Sequence, residues 1–157
     1  MKAFFTTLPA QSIVLLHACC HNPTGADLTD AQWAEIAEIC RDKGLIPFLD
    51  MAYQGFAEGI DADAVALRAM TASGQLFFVS SSFSKSFSLY GERVGALSIV
   101  TSDKEEAARV LSQVKRVIRT NYSNPPTHGA AIVAAVLSSP ELRKRWEDEL
   151  AAMRLRI

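Results

Sequence analysis

The chain has 157 residues, 49% of them apolar, and its 16 Lys and Arg against 17 Asp and Glu give a formal net charge of −1. That length and composition describe one domain with a real core. The interleaved charges leave no basic stripe for nucleic acid, and apolar runs such as Ile13 to Leu16 fall far short of a membrane span. Met1-Lys2-Ala3-Phe4-Phe5 faintly resembles a signal start, but Thr6, Thr7, Pro9, Gln11 and Ser12 interrupt any hydrophobic region, so a leader is not expected. Cys19, Cys20 and Cys40 offer no C-x-x-C spacing for a metal, and adjacent cysteines rarely pair with each other. Reduced, buried thiols of the kind a cytoplasmic protein carries are expected.

Ser12 to His17 reads as a strand apolar on both faces, the pattern of a covered parallel sheet. It runs into Cys19-Cys20-His21-Asn22-Pro23-Thr24-Gly25, whose Asn-Pro and Thr-Gly pairs mark a turn. Thr29 with Gln32 forms a capping box, Trp33, Ile36, Ala37 and Cys40 form a stripe at helical spacing, and Gly44 ends the helix. Leu45 to Asp50 is a second strand, so strand, helix and strand make a right-handed βαβ unit. Asp50 then falls at the carboxyl end of a parallel strand, where open α/β sheets bind ligands.

A helical segment over Ala62 to Ala72 closes at Ser73-Gly74, and Leu76 to Ser80 is the third strand. Val94 to Val100 is the fourth, expected to run antiparallel because the connection before it is too short for a crossover helix. Ser102 with Glu105 makes a capping box for a helix carrying Ala107, Val110, Leu111, Val114 and Val117, broken by Thr120 to Pro126. A small-residue helix spans His128 to Leu137, and Ser139-Pro140 opens the last one. That helix has no stop signal before Ile157, so the chain is expected to be part of a longer one. The fold class is α/β: a three-layer piece with a mostly parallel sheet and one antiparallel strand.

Between the third and fourth strands lies Ser80-Ser81-Ser82-Phe83-Ser84-Lys85-Ser86-Phe87-Ser88-Leu89-Tyr90-Gly91-Glu92-Arg93. The end of a buried strand is a poor place for a solvated charge and a good one for an amine that must lose its proton and attack a carbonyl. Hydroxyls with a nearby guanidinium are what a phosphate needs.

Four stretches taken together, His17 to Gly25, Asp50-Met51-Ala52-Tyr53-Gln54-Gly55-Phe56, Ser82-Phe83-Ser84-Lys85 with Gly91-Glu92-Arg93-Val94-Gly95, and Arg119 to Pro126, closely resemble the aspartate/aromatic amino acid aminotransferases, pyridoxal-phosphate enzymes of fold type I. The resemblance covers the whole chain as a central piece of the large, cofactor-binding domain, with the small domain outside it. It implies that Lys85 is the Schiff-base lysine, whose amine, titrating near ~10.4 when free, later shuttles a proton between Cα and C4′. Asp50 would pair with the pyridine nitrogen, with His17 behind it. Tyr53 and Asn22 would reach the phenolic oxygen, Asn22 also touching substrate, and the Asn22-Pro23 bond would be cis. Ser82 and Arg93 would bind the phosphate, with Ser84 joining them. Tyr90, Glu92 and Gly95 read as structural.

Arg119 would cross to the neighbouring subunit's site of a homodimer and pair with the distal carboxylate of dicarboxylic substrates. The family's other phosphate-binding loop, its ring-stacking aromatic residue and its arginine for the substrate α-carboxylate lie outside these residues. Ala26 to Thr29, Leu45 to Asp50 and Phe83 to Gly91 look closer to the bacterial aromatic branch. The implied reaction is amino-group transfer from an aromatic amino acid, and aspartate, to 2-oxoglutarate in the cytoplasm. Aspartate-only transfer, another fold-type-I reaction such as decarboxylation or β-elimination, and a non-catalytic truncated piece are the alternatives.

Overall fold

The computed structural model describes residues 1–157. A short helix α1 (Lys2–Phe5) precedes β1 (Ile13–His17), α2 (Asp30–Lys43) and β2 (Ile46–Met51). A 3₁₀ turn (Ala62–Ala64) leads into α3 (Val65–Ala72), then β3 (Phe77–Ser82), β4 (Gly95–Val100), α4 (Lys104–Asn121), α5 (His128–Ser138) and α6 (Pro140–Arg154). The sheet order is β1-β2-β3-β4; the first two pairings are parallel and the last is antiparallel. No helix is long and apolar enough to cross a membrane.

Local chemistry explains the first half of this layout. Gln32 N–H donates to the Thr29 hydroxyl and Thr29 N–H to the Gln32 side chain, so two of the free donors at the start of α2 are satisfied. Gly44 takes the left-handed conformation, φ 60°, that closes the helix. The α2 stripe Trp33, Ile36, Ala37 and Cys40 packs with Ala66 and Met70 of α3 onto Val14, Leu16, Leu49, Met51, Phe77 and Val79. These strand residues share one face because successive side chains alternate.

The other face departs from the expectation of a fully covered sheet. Ile13 and Leu15 are each 65% exposed and Leu97 is 54% exposed. Only the β3–β4 side lies near a helix: Phe78, Leu97 and Ile99 line a groove with Val110, Leu111, Val114 and Val117 of α4. No α4 residue is buried, against the buried stripe its spacing suggests. Its cap also sits one residue later than expected. The Asp103 carboxylate accepts from Glu106 N–H, while Ser102 N–H and hydroxyl donate back to the Glu106 carboxylate. Ser102 and Asp103 are comparable caps, each with a glutamate three positions on, and the aspartate prevails because Glu106 can then engage two donors of Ser102.

Candidate active site

The sheet register sets the site. His17 pairs with Asp50 and Asp50 with Ser80 across adjacent parallel strands, so all three share one row. Alternation puts them on the face opposite the α2–α3 core, at the strands' carboxyl ends. Beyond β1 the chain turns sharply: Cys20 N–H and His21 N–H donate to the two oxygens of Asp27 (2.6 and 2.8 Å), and Asn22 N–H donates to His17 Nδ1 (3.1 Å). The Asn22-Pro23 peptide is cis. This turn leaves the Asn22 amide exposed and aimed at the next strand's loop, 3.5 Å from the Tyr53 hydroxyl.

Tyr53 belongs to the turn after β2, and a residue that sequence reasoning passed over holds that turn. The buried carboxylate of Asp63 accepts from four backbone N–H groups, those of Gly55 (2.7 Å), Ala57 (3.1 Å), Glu58 (2.8 Å) and Gly59 (3.2 Å). Such complete pairing is what makes a buried charge tolerable. From α6, Arg154 donates to the Gly55 carbonyl (2.8 Å).

Lys85 sits in the turn after β3. Ser84 and Ser86 on either side of it are buried at 5% and 7% exposure, which leaves Lys85 on the open side. Its Nζ lies 4.9 Å from the centre of the Tyr53 ring, within cation–π range. The turn is anchored behind: Phe87 stacks on Trp146 at 4.5 Å, and the Trp146 indole N–H donates to the Ser86 carbonyl (2.7 Å). Nothing near Lys85 in sequence announces Trp146. Its only signal is an aromatic residue inside the charged run Arg143 to Glu149.

Ser82 closes β3 opposite Gly95, and its hydroxyl accepts from Ser84 N–H (3.2 Å), leaving the hydroxyl proton free to donate. Arg93, in the left-handed conformation at φ 51°, gives one guanidinium N–H to the Tyr90 carbonyl (2.8 Å) and is otherwise exposed. Asn22 and Lys85 thus each meet Tyr53, while Asp50, Ser82, Ser84 and Arg93 belong to the same strand ends. Arg119 stands apart at the end of α4, where it donates to the Ser123 hydroxyl. All three thiols are shifted upward, Cys19 and Cys20 beside the site and Cys40 in the α2 core. Burial, reinforced by Asp63, pushes Cys19 far above the ordinary thiol range, burial raises Cys20, and burial takes Cys40 up to about 11.

A lysine, a phenol and an amide thus gather at the carboxyl edge of a mostly parallel sheet, the place where open α/β sheets bind ligands. The family model for aminotransferase class I and II matches residues 1–157, and the chain belongs to that family. It is 69% identical over 150 residues to the aspartate aminotransferase of Pseudomonas aeruginosa, covering 96% of this chain and 38% of that one. It is 57% identical over 157 residues to the aromatic-amino-acid aminotransferase of Escherichia coli, covering 100% of this chain and 40% of that one. The crystal structure of the Burkholderia pseudomallei aromatic-amino-acid aminotransferase, covalently bound to pyridoxal phosphate, superposes with a TM-score of 0.98 at 67% identity, over 99% of this chain and 39% of that chain. The chain therefore spans about two fifths of the length of such relatives.

Proposed function

We propose that residues 1–157 form part of the large domain of an aminotransferase that moves the amino group of an aromatic amino acid, and of aspartate, to 2-oxoglutarate with pyridoxal phosphate as cofactor. The observation that carries this reading is the meeting of Lys85, Tyr53 and Asn22, with the Lys85 Nζ 4.9 Å from the Tyr53 ring and the Asn22 amide 3.5 Å from its hydroxyl. The donor set fits the group: an amine for its aldehyde, a carboxylate for its ring nitrogen, a phenol and an amide for its phenolic oxygen, hydroxyls and a guanidinium for its phosphate.

When bound, pyridoxal phosphate supplies an aldehyde for amine exchange and a ring that takes up electron density released at the substrate Cα. Asp50 would hold a proton on the ring nitrogen, with His17 beside it in the register supporting its carboxylate. Tyr53 and Asn22 hold the phenolic oxygen, and Asn22 also touches the substrate. Ser82, Ser84 and Arg93 hold the phosphate. Lys85 would hold the cofactor through its amine, and that amine would be the group that moves a proton between the substrate Cα and C4′. Arg119 serves the neighbouring subunit of a cytoplasmic homodimer, where its guanidinium pairs with the distal carboxylate of the substrate.

Incubation with pyridoxal phosphate, borohydride reduction and peptide mapping tests the site. Modification concentrated on Lys85 and lost in Lys85→Ala is expected; scattered labelling of surface lysines would sink the reading. The 69% identity to an aspartate aminotransferase favours one second reading, aspartate as the sole donor. Turnover of tyrosine against aspartate by the complete enzyme separates the two, since negligible tyrosine turnover would leave only aspartate.

A further inference from the structure

Arg93 is a non-glycine residue in the left-handed region, φ 51°, so its surroundings must hold it there. Helix α5 packs closely on this turn. Gly129, buried in the first turn of that helix, presses against both neighbours of Arg93: a Cβ added at Gly129 would lie 2.9 Å from the Cβ of Val94, 3.0 Å from the Cβ of Glu92 and 3.1 Å from Val94 Cγ1. The two nearest are Cβ atoms, fixed by backbone rather than by a rotatable tip, so a side chain here must move the main chain on either side of Arg93. Val94 has little room to yield. Its carbonyl accepts from Phe83 N–H (3.2 Å), and Gly95 next to it lies so close to β3 that a Cβ there would come within 2.7 Å of the Ser81 carbonyl oxygen.

We infer that Gly129 is a positioning residue for phosphate recognition: its missing side chain seats the Glu92–Val94 turn and so aims the Arg93 guanidinium, and through Val94 it also sets Phe83 and the Ser82–Ser84 hydroxyls. This rests on Arg93 being the phosphate ligand. It makes the effect of Gly129 specific to one end of the cofactor. Asn22 and Tyr53 are on other turns, and Lys85, which follows Ser84, is held from the far side of its turn by the Trp146 indole on the Ser86 carbonyl and by Phe87 stacked on Trp146, so the displacement falls on the phosphate end.

The test compares pyridoxal phosphate with pyridoxal, which lacks the phosphate, by calorimetric titration of the complete apoenzyme. In Gly129→Ala the dissociation constant for pyridoxal phosphate is expected to rise about tenfold, as a misaligned charge-assisted contact would cause, with pyridoxal affinity unchanged within about twofold. Equal weakening of both ligands, or of neither, overturns the inference. Arg93→Ala is the control: it must lose pyridoxal phosphate affinity selectively, and if it does not, the assignment of the phosphate site has failed and the role of Gly129 with it. Should Gly129→Ala not fold, Val94→Gly, which deletes the packing atoms from the other side of the same contact, is read in the same pair of titrations against the same criterion.

Discussion

Helices α2 and α4 each begin on a side-chain cap, carry acid in the first turn and base in the last, and present apolar residues at helical spacing. In α2 that stripe is buried, with Trp33, Ile36, Ala37 and Cys40 each at 2% exposure or less. In α4 no residue is buried, and Leu111 and Val117 remain 53% and 64% exposed beside an open groove. The same periodicity thus means two different things. It tells which side of a helix is built to be covered, and only the packing tells whether these 157 residues supply the cover. The sheet repeats the lesson, with Val14 and Leu16 buried on one face and Ile13 and Leu15 exposed on the other.

Truncating both helices gives the largest contrast. Trp33→Ala should cost about 3–5 kcal/mol of unfolding free energy, because it opens a cavity where a fully buried indole now sits. Leu111→Ala in the same chain should stay within about 0.5 kcal/mol, since it removes a half-solvated side chain. Urea denaturation of both variants measures this, and similar losses would refute the comparison. Repeating Leu111→Ala in the full-length protein sharpens it. A cost rising to about 2–5 kcal/mol there would show that further chain closes the groove, and an unchanged cost would show α4 open by design.

Asp63→Asn comes next. The neutral amide keeps the size of the carboxylate but offers one acceptor oxygen where Asp63 now satisfies four N–H groups. A loss of about 2–3 kcal/mol is expected from the donors left unpaired. Because Gly55 follows Tyr53 closely, borohydride fixation at Lys85 should also become less selective. A variant as stable as the parent would mean that water replaces the carboxylate without penalty.

Much of this architecture is legible in the sequence because it rests on local chemistry. The Thr29–Gln32 box, the Gly44 stop, the strand cores and the antiparallel turn of β4 all follow from neighbours in the chain. The turns that carry Asn22, Tyr53 and Lys85 are equally visible, since strand ends and punctuating residues mark them. What the sequence hides depends on distance or on near-ties. Trp146 reaches Ser86 across 60 positions, and Gly129 meets Val94 from another element. Asp63 looks like an ordinary helix-start acid until the loop folds back onto it. At the start of α4, two overlapping boxes, Ser102–Glu105 and Asp103–Glu106, compete on nearly equal terms, and local propensity does not choose between them.

That near-tie yields the smallest effect and the finest version of the comparison, because α2 is capped by a neutral hydroxyl and α4 by a charge. Thr29→Ala should cost about 1 kcal/mol at any pH, as no titrating group is involved. Asp103 behaves differently: its carboxyl is held below the usual carboxylate range, first by the Glu106 N–H and then by Ser102, and Glu106 is held down likewise by the Ser102 hydroxyl and N–H. A depressed folded-state value means that the stabilisation is present above the unfolded-state value, near ~3.9 for an aspartate, and is lost as pH falls through the folded one. Asn caps helices about as well as Asp, so Asp103→Asn keeps the hydrogen bond and removes the titration. The melting temperatures of parent and Asp103→Asn should therefore differ most near neutral pH and converge as pH drops below about 4. Parallel curves from pH 7 to 2.5 would show that the charge at the head of α4 contributes nothing, and that the hydrogen bond alone decides where this helix begins.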